Sequence, residues 1–184
     1  MATLNERLDS LKKMIQEPDF LEGKGLSNEV NFRFFCYDPK QEMTVRHFLS
    51  QIKDEKLYCN IIQYDLYEVF LDILRDKHIL DKVDSLEEKR GKDFISRQFE
   101  KSCDAKTFAA KINYPDHKKN DLIVISGVGK VFPFMRVHSL LEAMQPLFID
   151  VAVLVFYPGE FDGHHVRLFN KLKQNEYYRA FKAV

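Results

Sequence analysis

The 184-residue sequence predicts a single α/β domain over 1–184, with a mainly parallel sheet of about four to five strands flanked by helices. Three observations predict it. Short apolar runs rich in aromatic and β-branched residues recur at 30–37, 57–64, 122–126 and 151–157. Stretches of helical periodicity separate them, and a helix between strands is the connection a parallel pair requires. A carboxylate that suits a helix cap follows each of the first two runs. No repeat, low-complexity tract or linker-like stretch divides the chain.

The elements follow in order. Leu4, Leu8, Leu11 and Ile15 stand at helical spacing, so 4–16 is an amphipathic opening helix that stops near Pro18. The run VNFRFFCY at 30–37 is a buried strand. Asp38 then suits an N-cap, Pro39 a first turn, and Gln41 the far position of a capping box. Val45, Phe48, Leu49 and Ile52 supply that helix's buried face. Asp65 and Glu68 repeat the spacing after the second strand, ahead of Leu66, Val69, Phe70, Ile73 and Leu74. From 77 to 111 the pattern is helical and charged, with Ser85 and Glu88 as a further capped start and Gly91 as a weak point. After the third strand, a glycine turn leads into an expected proline-started helix bearing Phe134, Val137, Leu141 and Met144. The fourth strand is followed by YPGEFDGHH at 157–165, expected as a glycine-rich surface loop, and by a last helix docked through the aromatics of 167–182. Strands alternating with helices fit a right-handed, doubly wound sheet.

Bulk composition narrows the function classes. Twenty-eight basic residues balance 28 acidic ones, so the whole chain is not steered toward nucleic acid or an anionic membrane. Cys36, Cys59 and Cys103 are odd in number and lack C-x-x-C spacing, as befits buried reduced thiols in a cytoplasmic protein. No apolar run is long enough to span a membrane. Adjacent His164 and His165 point to opposite sides of an extended segment, a poor metal pattern, and no metal or cofactor is expected.

The stretch DLIVISGVGKVFPFMRVH, 121–138, is the most informative. It resembles a phosphate-binding loop but departs from G-x-x-x-x-G-K-[ST] at two of its defining positions. Counting back from Gly129 and Lys130, the first glycine position holds Val124, and Val131 stands where a hydroxyl should hold magnesium. The turn after the first strand, YDPKQE, offers phosphate a carboxylate and a proline in place of glycine amides. The fold therefore resembles a degenerate P-loop or Rossmann-like domain without catalytic machinery. Gly127, Gly129, Lys130, Arg136 and His138 form a candidate site for an anion or a partner's acidic surface. Arg167, Lys171, Lys173, Tyr177, Tyr178 and Arg179 form a candidate nucleic-acid or partner-contact tail, since aromatics among cations stack on bases. No catalytic constellation is found.

The opening helix with PDFLEGKGLSNEVNFRFFCYDP, the block SGVGKVFPFMRVHSLLEAM, and VLVFYPGEFDG leading to YYRAF together resemble the BrxB family over essentially the full length. That family is a small component of BREX (bacteriophage exclusion) phage-defence systems. The resemblance implies a degenerate nucleotide-binding α/β fold and a non-catalytic assembly or adaptor role. It implies partnership with a PglZ-like protein first and the large BREX ATPase second, with nucleic acid contacted only indirectly or weakly. A nucleotide-sensing or nucleic-acid-binding subunit without hydrolytic activity is the alternative.

Overall fold

A computed structural model describes residues 2–24, 30–173, 175–176 and 180–184. The chain opens with α1 (Leu4–Met14) and the short α2 (Pro18–Leu21), then enters β1 (Phe32–Tyr37). A 3-10 turn leads into α3 (Glu42–Asp54), β2 (Asn60–Asp65) and α4 (Leu66–Asp76). Three helices follow, α5 (Val83–Arg90), α6 (Lys92–Ser102) and α7 (Ala105–Ile112), before β3 (Asp121–Ser126). The single turn α8 (Val128–Val131) and α9 (Val137–Met144) lead to β4 (Ala152–Phe161). β5 (His165–Leu168), β6 (Asn175–Glu176) and β7 (Phe181–Lys182) close the chain.

The main sheet has the order β2-β3-β4-β1-β7, with every pairing along it parallel. β1 aligns Phe32 with Val153 through Tyr37 with Pro158, and β3 aligns Leu122 with Ala152. Strand alternation then sorts side chains onto two faces. Phe32, Phe34, Ile123, Ile125, Val153 and Val155 meet α4, α7 and α9 in one core. Phe35, Tyr37, Leu122, Val124, Leu154 and Phe156 meet α1 and α3 in the other. A parallel sheet buried on both faces reads as unbroken apolar runs, which is why β3 and β4 looked as they did.

Charged side chains pin the outer layer. Thr3 and Glu6 form a capping box at α1, and Arg7 reaches across to lie 4.7 Å from the Phe35 ring while donating to the Cys36 carbonyl at 2.8 Å. Asp121, buried at the entry of β3, accepts from Asn60 at 2.8 Å, the Tyr114 hydroxyl at 2.8 Å and the Lys118 amide at 2.9 Å. Burial alone raises such a pKa, but these donors outweigh it and hold the carboxylate below its ordinary value.

Several expectations are corrected. Asp38 caps only a 3-10 turn through the Lys40 amide, and α3 starts at Glu42, so the box with Gln41 does not form. Asp65 does cap α4, through the Tyr67 amide rather than a box with Glu68. Ser85 lies inside α5 and donates back to the Lys82 carbonyl. The proline-started helix divides: Phe132, ahead of Pro133, is extended at ψ 136°, and helix resumes only at Val137. Phe134 leaves the helical path to stack on Phe70, with centroids 4.9 Å apart, and to meet Phe99 edge-on at 5.4 Å. The expected surface loop at 157–165 is mostly strand. β4 runs on to Phe161 and turns back into β5, with Glu160 opposite Arg167. The last helix is also absent among the described residues. Phe169 and Asn170, at φ 56° and 57°, bend the chain left-handed, and the end pairs as β6 with β5 and β7 with β1.

β4 is the central strand, so its packing governs the domain. Leu154→Ala, emptying a fully buried site on the α3 face, is expected to lower the unfolding free energy by about 2–5 kcal/mol in urea titration. Met43→Ala, at an exposed position, should stay within about 0.5 kcal/mol.

Candidate functional site

The carboxyl ends of β1, β2 and β3 meet at one edge, where open parallel sheets bind ligands. At its centre is the turn between β3 and α8. Gly127 sits at φ 73°, a left-handed torsion that glycine adopts without strain. A Cβ there would collide with the Asp65 carboxylate, whose Cγ would stand 2.8 Å away. Asp65 cannot readily withdraw: Oδ1 accepts from the Tyr67 amide at 2.9 Å and Oδ2 is ion-paired with Lys130. Gly129 has a different reason, since a Cβ there would lie 2.7 Å from the Phe169 ring. Both glycines thus serve the chain's own packing, and the lysine already holds a carboxylate.

The edge is hollowed on both faces. On the α3 face a polar cleft of about 410 Å³ lies between α3 and the carboxyl half of β2 and β3. Arg46 and Lys53 line one wall, Asp65 and Glu68 the other, with Gln63, Ser126 and Gly127 between. Glu42 accepts from Arg46 Nε at 2.9 Å and from the Tyr37 hydroxyl. Burial, reinforced by that carboxylate, pushes the Tyr37 phenol far up, so it stays protonated. Gln63 Oε1 is buried without a hydrogen-bond partner. Sequence reading missed Gln63. Its signal was a polar residue two positions after Ile61, on the face that the period of two turns inward.

On the opposite face a pocket of about 210 Å³ opens between α8, α9 and the β4–β5 hairpin. Val128, Met135, Val137, Tyr157 and Leu168, all buried, supply its apolar walls. Arg136, His138 and Lys173 add polar ends. Burial, aided by Arg136 and partly offset by Glu142, pushes the His138 pKa down, so near neutral pH the ring is mostly uncharged and Arg136 and Lys173 carry the charge.

The predicted anion cluster is therefore divided. Lys130 faces Asp65, Gly127 opens on the polar cleft, and Arg136 with His138 lines the apolar pocket. The structure joins those two to Lys173 of the tail group, which sequence distance concealed. Arg167 is in β5 opposite Glu160, and Lys171 lies exposed in the turn that follows. Tyr177, Tyr178 and Arg179 lie outside the described residues. Among the described residues no group of three or more His, Cys, Asp or Glu is placed to hold a metal ion, and no helix is long and apolar enough to cross a membrane. The three cysteines are buried and free, and burial pushes the Cys36 thiol up to about 12 and Cys103 to about 11.

Comparison with known proteins adds a family. The model described as "BREX protein BrxB" matches residues 62–183. A protein named BREX protein BrxB from Bacillus cereus (strain H3081.97) is 37% identical over 191 residues, covering 100% of this chain and 99% of that protein. A second of that name, from Escherichia coli O9:H4 (strain HS), is 28% identical over 187 residues, covering 98% of this chain and 92% of its own length. No solved structure matches.

Two outcomes are expected. Gly127→Ala should destabilise by about 1–3 kcal/mol, and in a double-mutant cycle with Asp65→Ala the losses should fall short of additive, because removing the carboxylate frees the space. The second concerns Asp162, in the hairpin turn. Amides of His164 and His165 hold its carboxylate down to about 2. A depressed folded pKa stabilises above the unfolded value near ~4 and is lost as pH falls toward the folded one. Asp162→Asn should therefore lie below the parent in urea midpoint at about pH 6, and the two should converge as pH approaches about 2.

Proposed function

The chain belongs to the BrxB family of BREX phage-defence proteins, and on that premise we propose that it is a non-catalytic assembly subunit that captures another BREX protein through the apolar pocket beside α9. The observation that carries this reading is the pairing of Lys130 with Asp65. The turn most like a phosphate loop holds an internal carboxylate, and the turn after β1 caps itself with Asp38, so neither offers an open anion cradle. Arg136, by contrast, borders an apolar cavity. An aromatic or aliphatic side chain followed by acidic residues suits such a site, with the anchor buried and the charges paired at the mouth. A PglZ-like protein is the first partner and the large BREX ATPase the second.

Purification of this chain from a host carrying the whole operon should bring the PglZ-like protein with it at low salt, less so as salt rises. Arg136→Glu should weaken capture at least ~tenfold, about 1.4 kcal/mol, with an unchanged unfolding midpoint. Failure of the parent chain to retain either partner at low salt would sink the proposal.

A further inference from the structure

The main sheet ends in two unlike edges. An edge strand exposes unpaired amides and carbonyls, and proteins blunt it with shortness, a charged side chain, a proline or a bulge. β7 is blunted in this way: it is two residues long, and one of them is the exposed Lys182. β2 has none of these devices. It keeps unbroken register with β3 from Asn60 opposite Asp121 to Asp65 opposite Ser126, and it pairs with no other strand among the described residues. Between Leu57 and Asp65 there is no proline, and the one charged side chain is Asp65, which Lys130 already engages.

The ladder fixes which backbone groups face outward. The Asn60 amide donates to the Asn120 carbonyl at 2.8 Å and the Tyr64 carbonyl accepts from the Ser126 hydroxyl at 3.4 Å, so Asn60, Ile62 and Tyr64 turn their backbone toward β3. Ile61 and Gln63 therefore aim N–H and C=O at the open edge. Their side chains lie on the α3 face, Tyr64 packs on the α4 face, and Ile62 is half-buried and part of neither core. We propose that this edge pairs with β2 of a second copy of the chain, antiparallel about a two-fold axis through Ile62, so that two sheets become one. Ile61 of each copy then exchanges both backbone hydrogen bonds with Gln63 of the other, Ile62 meets its own counterpart, and Asn60 stands opposite Tyr64. A two-fold interface makes every contact twice, so the strand must complement itself. This one does: apolar meets apolar at the axis, and no charge faces a like charge from Asn60 to Tyr64. The chain's balanced charge adds no repulsion between copies. The pocket beside α9 borders β4 and β5, with β3 between it and β2, so the dimer keeps both capture sites open.

Light scattering and sedimentation of the full chain at about 100 μM, far above the dissociation constant of a ~1 μM dimer, should give twice the 21.8 kDa chain mass. Ile62→Lys sets two lysines against each other at the axis and should raise the dimer dissociation constant at least ~tenfold, with the circular dichroism of the parent and capture of the BREX partner intact. Arg136→Glu should do the reverse, leaving the mass and weakening capture, so that the edge and the pocket fail separately. Ile62→Cys should form a covalent dimer on mild oxidation, because non-hydrogen-bonded antiparallel pairs stand close enough for a disulfide. Met43→Cys, at an exposed position away from the edge, should not. The proposal is overturned if the parent has the mass of one chain, if Ile62→Cys cross-links no faster than Met43→Cys, or if Ile62→Lys leaves the mass unchanged and abolishes capture, which would give the edge to a strand of the other protein.

Discussion

One carboxylate, that of Asp65, ties the carboxyl edge of the sheet together. It caps α4 through the Tyr67 amide, pairs with Lys130 of α8, and packs so closely on Gly127 that no side chain fits there. These contacts join the end of β2 to the turn after β3 and so set where α4 and α8 leave the sheet. They also fill, with an internal anion, the place where an external one would meet the glycine turn and its lysine. A loop that looks like part of a phosphate site is thereby complemented from within, and the electrostatic attraction that would draw a nucleotide is spent on the fold.

The geometry of β4 divides the remaining edge into two environments. As the strand shared by β1 and β3 it is buried on both faces, and beyond Tyr157 it leaves the parallel sheet to pair with β5. The hairpin curls over the α9 face, bringing Leu168 beside Tyr157 and Met135, so that side becomes a small apolar pocket with cations at its ends. On the other face α3 spans the sheet from β1 toward β2, and its polar flank faces the carboxyl ends of β2 and β3 across an open cleft. One sheet edge thus offers two unlike surfaces, with Gly127 lining the first and Val128 the second.

Some of this was legible from local pattern. Apolar runs with intervening helical periodicity marked the four long strands and the parallel sheet, because burial on both faces leaves a continuous signature in β1, β3 and β4, while the half-buried edge strand β2 keeps enough apolar and aromatic content to be read. Asp38 and Asp65 announced themselves as caps, because a cap is a contact within two or three residues. The places where pattern misled share a cause. Phe134 is at a suitable position for a helix, but stacking against Phe70 and Phe99, far away in sequence, outweighs local propensity. The residues after Tyr157 look like a turn-rich loop, and only the availability of β5 as an antiparallel partner makes them strand.

The candidate site follows the same division. Charge types, glycine spacing and the two failures of the phosphate motif could be read from the sequence, as could membership of a family, since these depend on residue identity and order. Which cation is spent and which remains near a pocket could not. Lys130 and Arg136 are six positions apart, yet one meets Asp65 from β2 and the other joins Lys173 from beyond β5. The sequence by itself determined the α/β class, the capping carboxylates Asp38 and Asp65 and the family, because these rest on local chemistry and inherited order. Tertiary structure alone decided which charges are neutralised, which are gathered, and that Gln63 lies buried without a partner, because electrostatic pairing and desolvation depend on distance in space rather than distance along the chain.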